Sequence, residues 1–469
     1  MDGLLPPFGT LAGEAVRAAL VSALLLLLFG AAEVWRRWGN PPVEWTRKLV
    51  HFGGGVVAGA FPWLFRWHWT VLALGIAFGL IIWGTRRLGL LSSVHGVERR
   101  SQGGIYYPIA IYLLFLLGAG QPVFYLVSLL VLMVADTLAA LLGSEYGRRI
   151  YSVESDRRSL EGSAAFLLTT FLAVHLPQLL LTQTGRAESV LIAAQIAIVV
   201  TILEGISLEG SDNLVVPLAT YFLLESMTPH PAPFVARQLV VLVLVAVLVG
   251  LLAWRFRFVA LSSAMGLALV VYGAYALGGS EWVLAPALAV LCFAAFDWLV
   301  RRVEPEAVAG YHIRGLFYVA ILPLLLLFAN NVIERESTSM MRGLTSDALY
   351  VPYVAVIAAH LVTIVFGHGR RVETERRRTF LGMSTAAALF GWVLVVGVGL
   401  GAGTRGITAW GMLIAVGVSA VTLALYLTIR RLPAWPRVPP WDVRLQMLSA
   451  TVAMLLLVPL HLWLLMARW

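Results

Sequence analysis

The chain has 469 residues, 60% of them hydrophobic and only 13% charged, with a mean hydropathy of +0.86. Soluble domains are about half apolar and a quarter charged, so a water-soluble enzyme, a disulfide scaffold and a disordered chain are excluded. The net charge of +9 in so apolar a chain points to membrane topology and not to nucleic acid as a partner.

A membrane-spanning helix needs about 20 apolar residues, somewhat fewer where it is buried. In chain order, apolar runs lie near 12–32, 50–65, 70–84, 104–119, 123–142, 160–181, 189–206, 213–226, 234–254, 258–278, 282–300, 314–331, 348–366, 379–400, 407–429 and 444–466. The expected fold is an all-α polytopic membrane protein with those 16 helices. No strand is expected. The longest polar loops, at 33–49, 85–103, 143–159 and 332–347, leave no soluble domain. Met1 to Gly13 hold no basic residue before the first apolar run, so no cleavable signal peptide is expected. The single Cys292 lies in an apolar run and permits no disulfide within the chain.

If the loop after the first helix is cytoplasmic, the inner loops collect 26 of the 34 basic residues. These include Arg36, Arg37, Arg47, Lys48, Arg86, Arg87, Arg99, Arg100, Arg370, Arg371, Arg376 and Arg437. That asymmetry is the signature of the inner side, and it sends both termini outward.

Four polar clusters fall at the inner helix ends. Ionisable groups there are costly and mark function. The first runs from Glu44 to His51 ahead of Gly53-Gly54-Gly55, and Arg47, Lys48 and His51 share one helix face. Lys48 is the only lysine; the other 33 basic residues are arginine. A compact ammonium suits a point contact with phosphate. In the second, Asp136, Ala140, Gly143 and Gly147 form a stripe, with Arg148 following. Asp136 is expected about 10 Å below the helix end, and the small residues allow a ligand or another backbone to approach. A magnesium–phosphate group beside Asp136 fits both features.

In the third cluster, Arg157 and Arg158 precede Ser159, Glu161, Gly162 and Ser163 at a helix start. The pattern reads as a phosphate site, an N-cap by Ser159, or both. In the fourth, Glu204, Glu209, Asp212 and Asn213 could surround a hard cation or form a solvated turn. The histidines at 68, 95, 175 and 230 read as interfacial or isolated. Zinc and P-loop patterns are absent from the sequence.

At these clusters the sequence resembles the polyprenol kinase family: dolichol kinase, phytol kinase and CTP-dependent diacylglycerol kinase. The pieces are Arg47-Lys48-x-x-His51, Asp136-Thr137-x-Ala139 with Gly143 and Gly147-Arg148, Arg158-Ser159-x-Glu161-Gly162-Ser163, and Glu204-Gly205 with Asp212-Asn213 and Pro217. Their order and spacing follow the phytol kinase branch, over about residues 15–230. The resemblance implies transfer of the γ-phosphate of CTP, or UTP, to a lipid alcohol with Mg²⁺. It implies catalytic roles for Asp136, Glu161, His51 and Asp212. It implies nucleotide contacts by Arg47, Lys48, Gly143, Gly147, Arg148, Arg158, Ser159 and Gly162, and metal ligation by Asp136, Glu204 and Asp212. The setting implied is a bacterial inner membrane with the site facing the cytoplasm. Two positions depart from the family pattern: Ala135 stands where glycine is frequent, and Arg158 where lysine is frequent.

Residues 1–230 are therefore expected to form the catalytic domain, and 231–469 a second helical domain. A shift of 224 residues sets Ala135-Asp136 against Ala359-His360 and Gly143 against Gly367, as in a degenerate copy without the acids. Phosphatidate cytidylyltransferase chemistry is the alternative, but Phe366-Gly367-His368-Gly369-Arg370 echoes its signature without the aspartates that should follow. Secondary transport is the other alternative, although transporter sites favour the midplane.

Overall fold

The computed structural model describes residues 9–91, 93, 102–154, 156–303, 313–335, 348–369, 377–402, 408–432 and 439–466. His95, Arg99, Arg100, Arg370, Arg371, Arg376 and Arg437 lie outside the described residues. The chain divides into two compact units, Met1–Val240 and Val241–Trp469.

Unit 1 contains α1 (Leu11–Gly39), α2 (Val43–Gly59), a short α3 (Phe61–Leu64), α4 (His68–Arg87), α5 (Gly103–Leu117) and α6 (Pro122–Tyr146). After a small hairpin come α7 (Leu160–Leu181), α8 (Arg186–Ile206) and α9 (Asp212–Met227). The boundary between units falls within α10 (Ala232–Phe256). Unit 2 continues with α11 (Leu261–Gly278), α12 (Leu284–Val303), α13 (Ile313–Arg335), α14 (Tyr350–Gly369), α15 (Arg377–Ala402), α16 (Ala409–Arg430) and α17 (Pro439–Met466).

The protein is thus an all-α polytopic membrane protein. Fourteen helices among the described residues are long and apolar enough to cross a bilayer. The two expected spans that fall short are α2, with 17 residues, and α9, with 16. Both give their first turns to polar residues. Leucines such as Leu20, Leu24 and Leu27 on α1 remain exposed, as a lipid-facing surface requires. By contrast, α8 and α14 are the buried centres of their units, with 67% and 78% of their apolar windows covered. The core of unit 1 joins Ile192 and Ile196 of α8 with Tyr125 and Leu129 of α6, and that of unit 2 joins Tyr353 and Val354 of α14 with Val395 and Ala415.

The structure corrects the expectation of no strands. Ile150–Val153 (β1) and Asp156–Ser159 (β2) pair antiparallel, with Ile150 opposite Ser159 and Val153 opposite Asp156. Four residues per strand are too few for alternation to stand out in sequence. The hairpin places consecutive arginines on opposite faces: Arg157 is exposed, while Arg158 turns inward.

The hairpin ends at α7, where Ser159 caps the helix by accepting from the Gly162 N–H at 3.1 Å. Here α6 and α7 meet backbone to backbone. A Cβ on Gly162 would stand 3.0 Å from the Ala139 carbonyl oxygen and 3.2 Å from the Gly143 Cα. The small-residue stripe therefore serves another backbone. Gly147→Ala should be disruptive, because its Cβ would run into the Gly143 carbonyl and stand 2.8 Å from Ser159 Cβ. The expected loss is about 1–3 kcal/mol, read as a lower melting temperature of the detergent-solubilised protein. An unchanged melting temperature would contradict this account of the junction.

Candidate active site

The first turns of α2 present Glu44, Arg47, Lys48 and His51 along one face. Arg47 Nε donates to Glu44 Oε2 at 3.1 Å. Burial alone would raise the Glu44 carboxyl, but the bonded Arg47 guanidinium holds it below the usual carboxylate range. Lys48 is only 3% exposed, and its Nζ lies 2.5 Å from Asp136 Oδ2. His51 Nε2 lies 3.3 Å from the same oxygen and 3.1 Å from the Leu132 carbonyl. Both contacts fall on Oδ2; no partner of Oδ1 appears among the described residues.

Two local features bring α2 and α6 together. Gly55 allows the contact, since a Cβ there would be 2.6 Å from Met133 Cβ. On α6, residues Val131–Ala135 form a π-helical segment directly before Asp136. Such wide turns loosen the backbone ladder and recur at functional sites; here the segment contains the carbonyl that His51 meets. The helix runs on to Tyr146, so Asp136 stands about 15 Å from its end at 1.5 Å per residue, deeper than the expected 10 Å. Tyr107, in an apolar run, carries no sequence signal of a role here. Its hydroxyl donates to the His51 carbonyl at 2.9 Å, and the two rings lie 4.5 Å apart.

A second group forms around Arg158. It pairs with Glu204 at the end of α8, stands 3.6 Å from Asp212 Oδ2 at the start of α9, and donates to the Ser207 carbonyl at 3.2 Å. A lysine has no planar fork with which to hold carboxylates on two helices at once, so the departure at this position has a structural consequence. The connecting loop turns through Glu209 and Gly210, both at positive φ, 54° and 85°. Asp212 Oδ1 accepts from the Asn213 backbone N–H at 3.0 Å.

Glu161 sits apart from both groups. Its carboxylate accepts the backbone N–H groups of Arg148 and Arg149 at 3.1–3.2 Å, holding the chain between α6 and β1. The side chains of Arg148, Arg149 and Arg157 are exposed. Asp136, Glu204 and Asp212 do not converge: no cluster of three or more His, Cys, Asp or Glu suited to a metal ion occurs among the described residues. His68, His175 and His230 bind local partners, Tyr112, Ser189 and the Ser226 carbonyl.

A cavity of about 230 Å³ is bounded on its polar side by Arg47 and His51 of the first group and by Asn213, the neighbour of Asp212. Its wall is largely apolar, with Leu25, Phe29, Val71, Leu74 and Ile111, while Arg47, His51, Gln102 and Asn213 supply polar atoms. Arg47 lies within electrostatic reach of both Asp136 and Asp212. An apolar trough edged by arginine, histidine and amides can hold an amphiphile by its chain and present its head to polar groups.

A phytol kinase of Synechocystis sp. is 34% identical to this chain over 207 residues, which is 44% of this chain and 88% of that protein. No family model and no solved structure matches the chain.

The buried pair generates a stability prediction. Lys48→Met leaves the Asp136 carboxylate without its cation and should cost about 3–5 kcal/mol. Adding Asp136→Leu should restore most of that loss, because two apolar groups replace the pair. Thermal unfolding of the two single variants and the double variant in detergent checks this. Additive losses would mean that the two side chains do not stabilise each other.

Proposed function

The chain belongs to the polyprenol kinase family, and from that premise we propose that unit 1 transfers the terminal phosphate of CTP to the hydroxyl of a membrane prenol of the phytol class. The observation that carries this reading is the cavity: an apolar trough whose polar edge lies at Arg47 and His51, beside the buried Lys48–Asp136 pair. The prenol chain lies against the leucine and phenylalanine wall, and its hydroxyl reaches the polar edge.

Phosphoryl transfer depends on positioning and charge neutralisation more than on covalent steps by the protein. Lys48 and His51 fix Asp136 through Oδ2, so Oδ1 is the oxygen available to an incoming group. The donor set fits Mg²⁺, which takes one or two carboxylates and completes its shell with water and phosphate oxygens. Asp136 would hold it as the one protein carboxylate, with water and phosphate oxygens completing the shell; bound there, the ion would neutralise charge on the phosphates. Arg47 lies within electrostatic reach of Asp136 and Asp212 and adds positive charge at the edge of the trough. The exposed Arg148, just before β1, and Arg157, on β2, offer flexible contacts for the triphosphate. Glu161 acts indirectly in this reading, by holding the loop that carries Arg148. The excess of arginine at these helix ends supports a cytoplasmic site, where the nucleotide is available.

CTP labelled at the γ-phosphate, supplied with phytol to the full chain in lipid nanodiscs, tests the reaction. The label should move into an organic-soluble lipid phosphate, and Asp136→Asn should lower the rate at least about 100-fold while the protein still inserts. Release of the label as pyrophosphate would identify cytidylyl transfer instead and overturn the proposal.

A further inference from the structure

Unit 2 contains a cavity of its own, of about 130 Å³, bounded by α11, α12, α13 and α14. Leu267, Phe293, Leu316, Pro323 and Ile357 form much of its wall. The wall contains two polar side chains, Ser263 and His360, and no charged one among the described residues. Ser263 already has a partner. His360 is 1% exposed, and neither of its ring nitrogens has a hydrogen-bond partner among the described residues.

That combination is unusual. A neutral imidazole always carries one N–H donor and one bare acceptor, and buried polar groups in folded proteins are nearly always satisfied. The wall also limits what can satisfy His360. A phosphate or carboxylate head would be buried without a counter-charge. A metal ion would have one protein ligand where stable sites use three or four. A hydroxyl fits, because it can accept from the ring N–H or donate to the bare nitrogen, and the apolar wall suits the chain behind it.

We propose that unit 2 binds a neutral long-chain alcohol, with the chain in this cavity and the hydroxyl on His360. A shift of 224 residues sets His360 against Asp136 in the sequence, and at that register unit 2 has an uncharged hydrogen-bonding group on the wall of an apolar cavity. Without a carboxylate or a lysine at the cavity, this site holds an alcohol and does not phosphorylate it. The proposal does not rest on the transfer chemistry of unit 1.

The test uses the full chain in nanodiscs, without nucleotide, and a C20 prenol bearing a diazirine. After irradiation, peptides are mapped by mass spectrometry. Labelled peptides from α13 and α14 are expected. Excess unlabelled prenol should displace the label, whereas a hydrocarbon of equal length and the prenyl phosphate should not. His360→Leu should reduce labelling of unit 2 about tenfold, the loss of roughly one hydrogen bond, while labelling of unit 1 is unchanged. His360→Gln, which keeps a donor and an acceptor, should retain much of the labelling. Unlabelled unit 2 peptides, equal labelling of His360→Leu, or displacement by the hydrocarbon would each overturn the proposal. Because no phosphate is transferred in this experiment, its outcome is independent of whether unit 1 proves to be a kinase.

Discussion

A carboxylate buried on a membrane helix must be neutralised or hydrated, and in this chain the neutralising group is Lys48. The 2.5 Å contact between Lys48 and Asp136 binds α2 to α6, and much of the local architecture serves it. Gly55 removes the side chain that would keep the helices apart. The π-helical segment lies where Asp136 emerges from α6. His51, one turn beyond Lys48, holds the same carboxylate oxygen and the Leu132 carbonyl. Removing either charge would leave the other buried without compensation. Breaking such a pair costs more than the intact pair contributes in net stability, so it holds α2 and α6 in one arrangement, as the proposed phosphate site requires. The sole lysine among arginines marks this place in sequence because a compact ammonium on a flexible stem can be buried against one carboxylate oxygen.

The fold was largely legible because membrane spans announce themselves by length and composition. The apolar runs located the helices, and only α2 and α9 proved shorter than a span requires. Their shortness comes from the polar residues in their first turns: Glu44, Arg47 and Lys48 in one, Asp212 and Asn213 in the other. The site was legible as a set of residues but not as a geometry. Sequence spacing placed Lys48 and His51 on one face, yet gave no hint that Asp136 would receive both. The grouping of Arg158 with Glu204 and Asp212 depends on β1 and β2, strands too brief to register as a pattern. The glycine stripe was ambiguous between ligand and backbone; the contacts of Gly143 and Gly162 decide for backbone. Tyr107 was invisible, because a tyrosine in an apolar run looks the same whether or not its hydroxyl has a partner.

The two units show how far one principle extends. Each has a central, mostly buried helix and a cavity with an apolar wall. The cavity of unit 1 meets arginine, histidine and amides next to a buried ion pair. That of unit 2 meets one histidine and one serine. The apolar walls could be exchanged without changing what either cavity accepts as a chain, since dispersion and desolvation are indifferent to sequence detail. What differs is the capacity to handle charge. Accepting a triphosphate takes cations and oxygen ligands for an ion; accepting an alcohol takes only one hydrogen-bonding group.

The position of the charged groups follows from the same distinction. A nucleotide carries its charges in water, whereas a prenol keeps its chain in hydrocarbon, so the two can meet only where a helix end is polar and an apolar trough opens beside it. In the proposed reaction the short helices supply that meeting place. At 1.5 Å per residue, α2 and α9 reach about 26 and 24 Å, less than the roughly 30 Å of a bilayer's hydrocarbon core. Their first turns, which hold Lys48 and Asp212, can therefore lie lower than the ends of their longer neighbours. Under that proposal the alcohol need not leave the membrane to be reached, and the charged groups need not enter it unpaired.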